Sequence, residues 1–193
     1  MLHLKLPTDP RWFNLAEKSM EEILTDHAYC EQKAASTCIS IIQQFAEKEK
    51  VVDELAPIVT EEWGHFRQVL AELQRRNLKL GTQRKDVYVN QLMELKRKGG
   101  PREERFLDMV LISALIEARS CERFRLLSEG LEDPYMREFY RKFMISEAGH
   151  YRLFIELAKT YVKEEIVDQR WNELLEAEKK IIESLELRGD RVH

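Results

Sequence analysis

The chain has 193 residues, 34% of them charged, with seven Gly, five Pro and a formal net charge of −4. That length suits one core of ordinary size, so a single domain over 1–193 is expected, and the stretches rich in Glu, Leu, Ala, Lys and Arg exclude a sheet protein in favour of an all-α one. No run approaches the roughly 18 apolar residues of a membrane span, and MLHLKLPTDPRW lacks an apolar signal core, so a cytoplasmic protein with no membrane partner is expected. Cys30, Cys38 and Cys121 lack paired metal spacing and read as small core residues rather than a disulfide framework.

Asp9-Pro10 predicts a helix start, with a cap followed by proline at the first helical position. Helical periodicity then runs through Glu47 with a break near Thr25. A charged turn over 47–50 leads into a second long helix, which Pro57 kinks early and which fades near Gly81. The longest interruption, 81–101, holds the amphipathic stretch VNQLMELKRK and closes on Gly99-Gly100-Pro101. A third long helix is expected from about Arg102 to Ser128; Gly130 stops it, and Asp133-Pro134 starts a fourth that runs to about Tyr161. A fifth, from about Glu165 to Leu185, carries Trp171, Leu174, Leu175 and Ile182 for docking. The expected architecture is a four-helix bundle with additional short helices and a C-terminal helix.

The two halves repeat each other. Glu31 precedes the Glu62-x-x-His65 pair by 31 residues, and Glu117 precedes Glu147-x-x-His150 by 30, so two helical hairpins can carry their acids at one level. Glu and His three apart project from one face. In a chain with 27 Glu that spacing arises easily by chance, so the faces must discriminate. Glu31 aligns with Leu24, Ala28, Ala35, Cys38 and Ile42, and Glu117 with Val110, Ala114, Cys121 and Phe124. Glu62 and His65 align with Ile58, Val69 and Leu73; Glu147 and His150 align with Tyr140, Phe143, Phe154 and Ala158. Four helices thus aim carboxylates at apolar surroundings. Two carboxylates about 4 Å apart repel by about 4 kcal/mol even at an effective dielectric of about 20, and no Lys or Arg on those faces neutralises all four. Two Fe(II) ions would. Hard oxygen donors with imidazole suit iron or manganese, whereas zinc favours Cys and more His. On helix three Glu122 competes with Glu117, Glu61 competes with Glu62, and His27 is either a core residue or a partner behind Glu31.

The segments DHAYCEQKAAS, EEWGHFRQVL, LIEARSCERFRLL and SEAGHYRLF closely resemble the tRNA-(ms2io6A)-hydroxylase (MiaE-like) family of ferritin-like di-iron proteins, and the resemblance spans nearly the whole chain, PTDPRW included. It implies a ferritin-like four-helix bundle and a monooxygenase that uses two Fe ions and O2. The implied reaction hydroxylates the isopentenyl group of methylthio-isopentenyl-adenosine next to the anticodon of tRNA, with Glu31, Glu62, His65, Glu117, Glu147 and His150 as ligands and catalytic residues. No flavin or nicotinamide fingerprint is present, so an external electron donor, a ferredoxin-type protein or a reductase, is expected.

Residues 75–105 carry ten basic and four acidic side chains, +6 against −10 for the remainder. Arg75, Arg76, Lys79, Arg84, Lys85, Lys96, Arg97 and Lys98 are therefore expected to meet tRNA phosphates. A monomer or small homo-oligomer is expected. The residues alone leave room for a ferritin- or rubrerythrin-type iron-oxidising or peroxide-handling protein, a manganese catalase or a helical scaffold. Of these, rubrerythrins carry a Cys-rich iron module that this sequence lacks.

Overall fold

The computed structural model describes residues 2–193, all of whose regular secondary structure is α-helical. The backbone groups into two compact units. The first comprises 10–85 with 188–192, and the second comprises the residues up to Asp9, 86–187 and His193. None of the described helices is long and apolar enough to cross a membrane.

In the first unit α1 (Arg11–Lys18) begins just after Pro10, and α2 (Met20–Gln44) follows after a break at Ser19 rather than near Thr25. Thr25, Asp26 and His27 look like loop formers, yet all three are buried within α2, and Asp26 accepts the Val192 N–H at 2.8 Å. A buried polar side chain given such a partner no longer competes with the helix backbone. After the turn 45–48, α3 (Glu49–Arg75) runs on through Pro57 and packs on α2 as a hairpin. It ends before Gly81: Asn77 takes a left-handed φ of 59° and Leu78 N–H reaches Leu73 O at 2.9 Å, closing the last turn. Leu24, Ala28, Ala35, Cys38 and Ile41 on α2, and Leu55, Val69 and Leu73 on α3, form the buried stripes. Ile41 and Leu55 replace Ile42 and Ile58 as the most covered positions.

A strap from the far end of the sequence completes this unit. The Trp12 indole donates to Arg191 O at 3.2 Å, and Arg84 donates to Asp190 at 2.8 Å. At Gly189 a Cβ would stand 2.3 Å from the Leu15 carbonyl carbon, so only glycine lets the strap lie against α1. Hydrogen bonds from Arg188, with the positive charges of Arg191 and Arg84, pull the Asp190 carboxyl down to about 2.

The second unit holds α4 (Val87–Glu94), α5 (Arg102–Gly130), α6 (Pro134–Tyr161) and α7 (Glu164–Ser184). Side-chain caps fix two starts: Asp86 accepts Val89 N–H at 3.0 Å, and Asp133 accepts Tyr135 N–H at 2.9 Å. The capped helix α4 thus occupies the segment expected to be the main interruption. α5 and α6 pair as the second hairpin, with Phe124 in ring contact with Tyr140 at 5.6 Å and with Phe143 at 5.9 Å. Buried ions join the other elements to α5. Fully buried Asp108 receives Arg97 N–H at 2.7 Å and Arg170 Nε at 2.8 Å, and these bonds outweigh burial to hold its carboxyl low. Arg119, 0% exposed, donates to Glu122 at 2.5 Å, Glu178 at 2.6 Å, Thr8 Oγ1 at 3.1 Å and Leu6 O at 2.9 Å. One guanidinium thereby fastens the N-terminal segment and α7 to α5.

Candidate metal centre

Each hairpin builds one half-site, and the same local rule makes both. One helix offers a carboxylate from an otherwise apolar stripe; the next offers Glu and His three residues apart on the face turned toward it. In the first unit Glu31, Glu62 and His65 are all buried, and one ligating atom from each lies within 4.8 Å of the others. His65 Nδ1 is 3.3 Å from Glu31 Oε2 and 3.4 Å from Glu62 Oε2. In the second unit Glu117, Glu147 and His150 are likewise buried, with ligating atoms within the same limit. His150 Nδ1 lies 3.8 Å from Glu147 Oε2, and its Nε2 lies 3.4 Å from Ser146 Oγ.

Two observations show what these half-sites suit. Glu147 Oε1 is buried with no hydrogen-bond partner, which is costly for a carboxylate oxygen unless a cation meets it. The Cys121 thiol beside it is pushed up to about 11, first by burial and then by the negative charge of Glu147. The donors are hard carboxylates and imidazole, the set preferred by first-row divalent ions such as iron and manganese. Three donors per hairpin satisfy the residue chemistry of such an ion without filling its coordination shell.

The rival carboxylates have different surroundings. Glu122 is engaged by Arg119 and by Thr8, whose backbone N–H it accepts at 3.1 Å, whereas Glu117 is the α5 carboxylate grouped with Glu147 and His150. Glu61 has a side chain 46% exposed, and its Oε1 lies 3.8 Å from His65 Nε2. His27 is different from the plain core residue that its position permits: it is fully buried and its Nε2 meets Glu31 Oε1 at 2.7 Å. The i,i+4 spacing of His27 and Glu31 was the signal for that bond.

The basic residues divide between structural and open roles. Arg75 and Arg76 both hold the buried Glu72, at 2.8 and 2.6 Å, and keep its carboxyl low against the burial that would raise it. Arg84 holds Asp190, and Arg97 holds Asp108 and Glu104. Lys79, Lys85 and Lys98 are exposed and enter no ion pair among the described residues, while Lys96 is half-buried. Sequence reasoning missed Arg84 and Arg119 as structural arginines because their partners Asp190 and Glu178 lie 106 and 59 residues away.

The whole chain, residues 1–193, matches the tRNA-(MS[2]IO[6]A)-hydroxylase (MiaE) family. A tRNA 2-(methylsulfanyl)-N(6)-isopentenyladenosine(37) hydroxylase of Pseudomonas putida is 34% identical over 181 residues, covering 94% of this chain and 87% of the relative. The Salmonella typhimurium protein of the same name is 26% identical over 212 residues, covering 84% and 77%. Among solved structures, Protein 43 with aldehyde deformylating oxygenase activity from Synechococcus superposes with a TM-score of 0.92 at 36% identity, covering 98% of this chain and 94% of that one. The fold class is accordingly the all-α, ferritin-like one. The chain belongs to the tRNA-(MS[2]IO[6]A)-hydroxylase (MiaE) family.

Proposed function

We propose that this chain is a di-iron, O2-dependent monooxygenase that hydroxylates the isopentenyl group of methylthio-isopentenyl-adenosine next to the anticodon of tRNA. The observation that carries the proposal is the duplicated half-site: in each hairpin two carboxylates and one imidazole are buried together, and four carboxylates balance two Fe(II) ions in charge. Glu31, Glu62, His65, Glu117, Glu147 and His150 would hold the two irons. Two irons held by these residues would supply the reductive activation of O2 that hydroxylation of an unactivated C–H bond requires. The overall balance is one C–H bond converted to C–OH, with the second oxygen leaving as water at the cost of two electrons and two protons. Those electrons come from a ferredoxin-type or reductase partner.

The protein's own residues set the conditions for that chemistry. Cys38, Ala35, Phe143 and Phe154 line the ligand-bearing faces with apolar atoms and keep water from the carboxylates. Lys79, Lys85 and Lys98, exposed and outside any ion pair among the described residues, are the cations left to meet phosphates of a tRNA loop. The enzyme works in the cytoplasm as a monomer or small homo-oligomer.

The test is to incubate iron-loaded protein, a chemical reductant and O2 with tRNA that lacks only the final hydroxyl. The expected result is a mass gain of one oxygen on that nucleoside, and none without reductant after the first turnover. A second reading is favoured by one finding, the likeness to an aldehyde deformylating oxygenase. An alkyl aldehyde shortened by one carbon under the same conditions, with the tRNA unchanged, would replace the first reading by the second.

A further inference from the structure

The two half-sites are alike in their ligands and unlike behind them. One turn before Glu31 stands His27, fully buried, with Nε2 at 2.7 Å from Glu31 Oε1. The corresponding position one turn before Glu117 is Ser113, also buried, whose short hydroxyl side chain offers no imidazole. Glu31 is thus held between two imidazoles of its own hairpin, His27 on Oε1 and His65 at 3.3 Å on Oε2, and no imidazole stands at the position one turn before Glu117. An ionised carboxylate only accepts hydrogen bonds, so the contact requires a proton on His27 Nε2.

We propose that His27 is a positioning residue for Glu31. It donates its Nε2–H to Oε1 and leaves Oε2 as the atom available to an ion, which makes the α2/α3 half-site unequal to the α5/α6 half-site. The role rests on the two-metal reading given above. A ligand whose carboxylate is fixed by an outer partner loses less freedom on binding and keeps one denticity, and removing such a partner typically weakens metal binding by about 10–100-fold. The competing account, that His27 merely fills core volume, makes a different prediction for isosteric replacements. Met fills the space without a donor; Gln fills it and keeps an N–H at nearly the same reach.

Full-length protein stripped of metal is titrated with Co(II) against a competing chelator, with visible absorption reporting ligand number. Wild type is expected to take up two ions per chain with distinct affinities. His27→Met should weaken one of them by about 10–100-fold and leave the other in place, and His27→Gln should restore it. Equal affinities in the Met and Gln variants, or an equal loss at both ions, overturns the role alone. Uptake of fewer than two Co(II) by wild type overturns the two-metal reading and the role with it. Should the Met variant fail to fold, 15N-histidine NMR of diamagnetic wild type decides: a slowly exchanging proton on His27 Nε2 is expected, and a proton on Nδ1 instead overturns the assignment.

Discussion

Arg119→Met should cost about 3–5 kcal/mol of folding stability, the range for breaking a buried ion pair from one side. The upper part of that range applies because the change strands two buried carboxylates, Glu122 and Glu178, and also removes donors to Thr8 Oγ1 and Leu6 O. Glu178 sharpens the expectation, since burial raises its carboxyl above the ordinary 4.5 despite Arg119, and its Oε2 already has no hydrogen-bond partner. For a group raised on folding, the favourable contribution is complete below the unfolded value and is lost as pH rises through the folded one. Without Arg119 the folded value climbs further. The deficit against wild type should therefore be largest near neutrality and should shrink as pH falls toward 4.5. Urea unfolding followed by far-UV circular dichroism at several pH values measures it, and the thermal midpoint should fall by roughly 6–20 °C for a chain of this size. A deficit below about 1 kcal/mol at neutral pH, or one that grows in acid, refutes the reasoning.

Glu117→Ala and Glu122→Gln should separate ligand from scaffold. The first is expected to lower bound iron in a folded protein; the second should keep the iron while losing about 1–3 kcal/mol of stability, and metal analysis beside urea melts reads both. Reversing Lys79, Lys85 and Lys98 to Glu should weaken tRNA binding with a shallower salt dependence and unchanged iron content, whereas Arg76→Glu should act mainly on folding because Glu72 is buried beneath it. Asp190→Asn should lower stability at pH 7 but not near pH 2. A carboxyl depressed to about 2 contributes stability above its ordinary 3.8 and loses it as pH falls through the folded value.

Periodicity and capping made the two hairpins legible in the sequence. Asp133-Pro134 starts α6 where expected, α5 begins at Arg102, and α7 covers nearly the expected span. The inward placement of the six proposed ligands was also legible, because a Glu amid Leu24, Ala28 and Ala35 stands out on a helical face. What was not legible depends on partners far away in sequence. The Thr25-Asp26-His27 run looks like a helix break until Val192 supplies Asp26 with a donor. Arg84 looks like an open cation until Asp190, 106 positions further on, claims it. Repeat spacing favours Glu117 over Glu122, and Arg119 three residues before Glu122 is a local sign that Glu122 has an ion partner.

The strap over α1 and α2 has a kinetic side. The α2/α3 hairpin closes through neighbours in sequence, but the Asp26–Val192 and Trp12–Arg191 bonds join residues 166 and 179 positions apart. Contacts of such separation require the largest loop closure and tend to form after the rate-limiting step. Loosening the strap, for instance with Gly189→Ala, should then leave the refolding limb of the chevron nearly unmoved and steepen the loss on the unfolding side. The half-site that bears His27 and Glu31 would owe its lifetime, more than its formation, to five residues at the other end of the sequence.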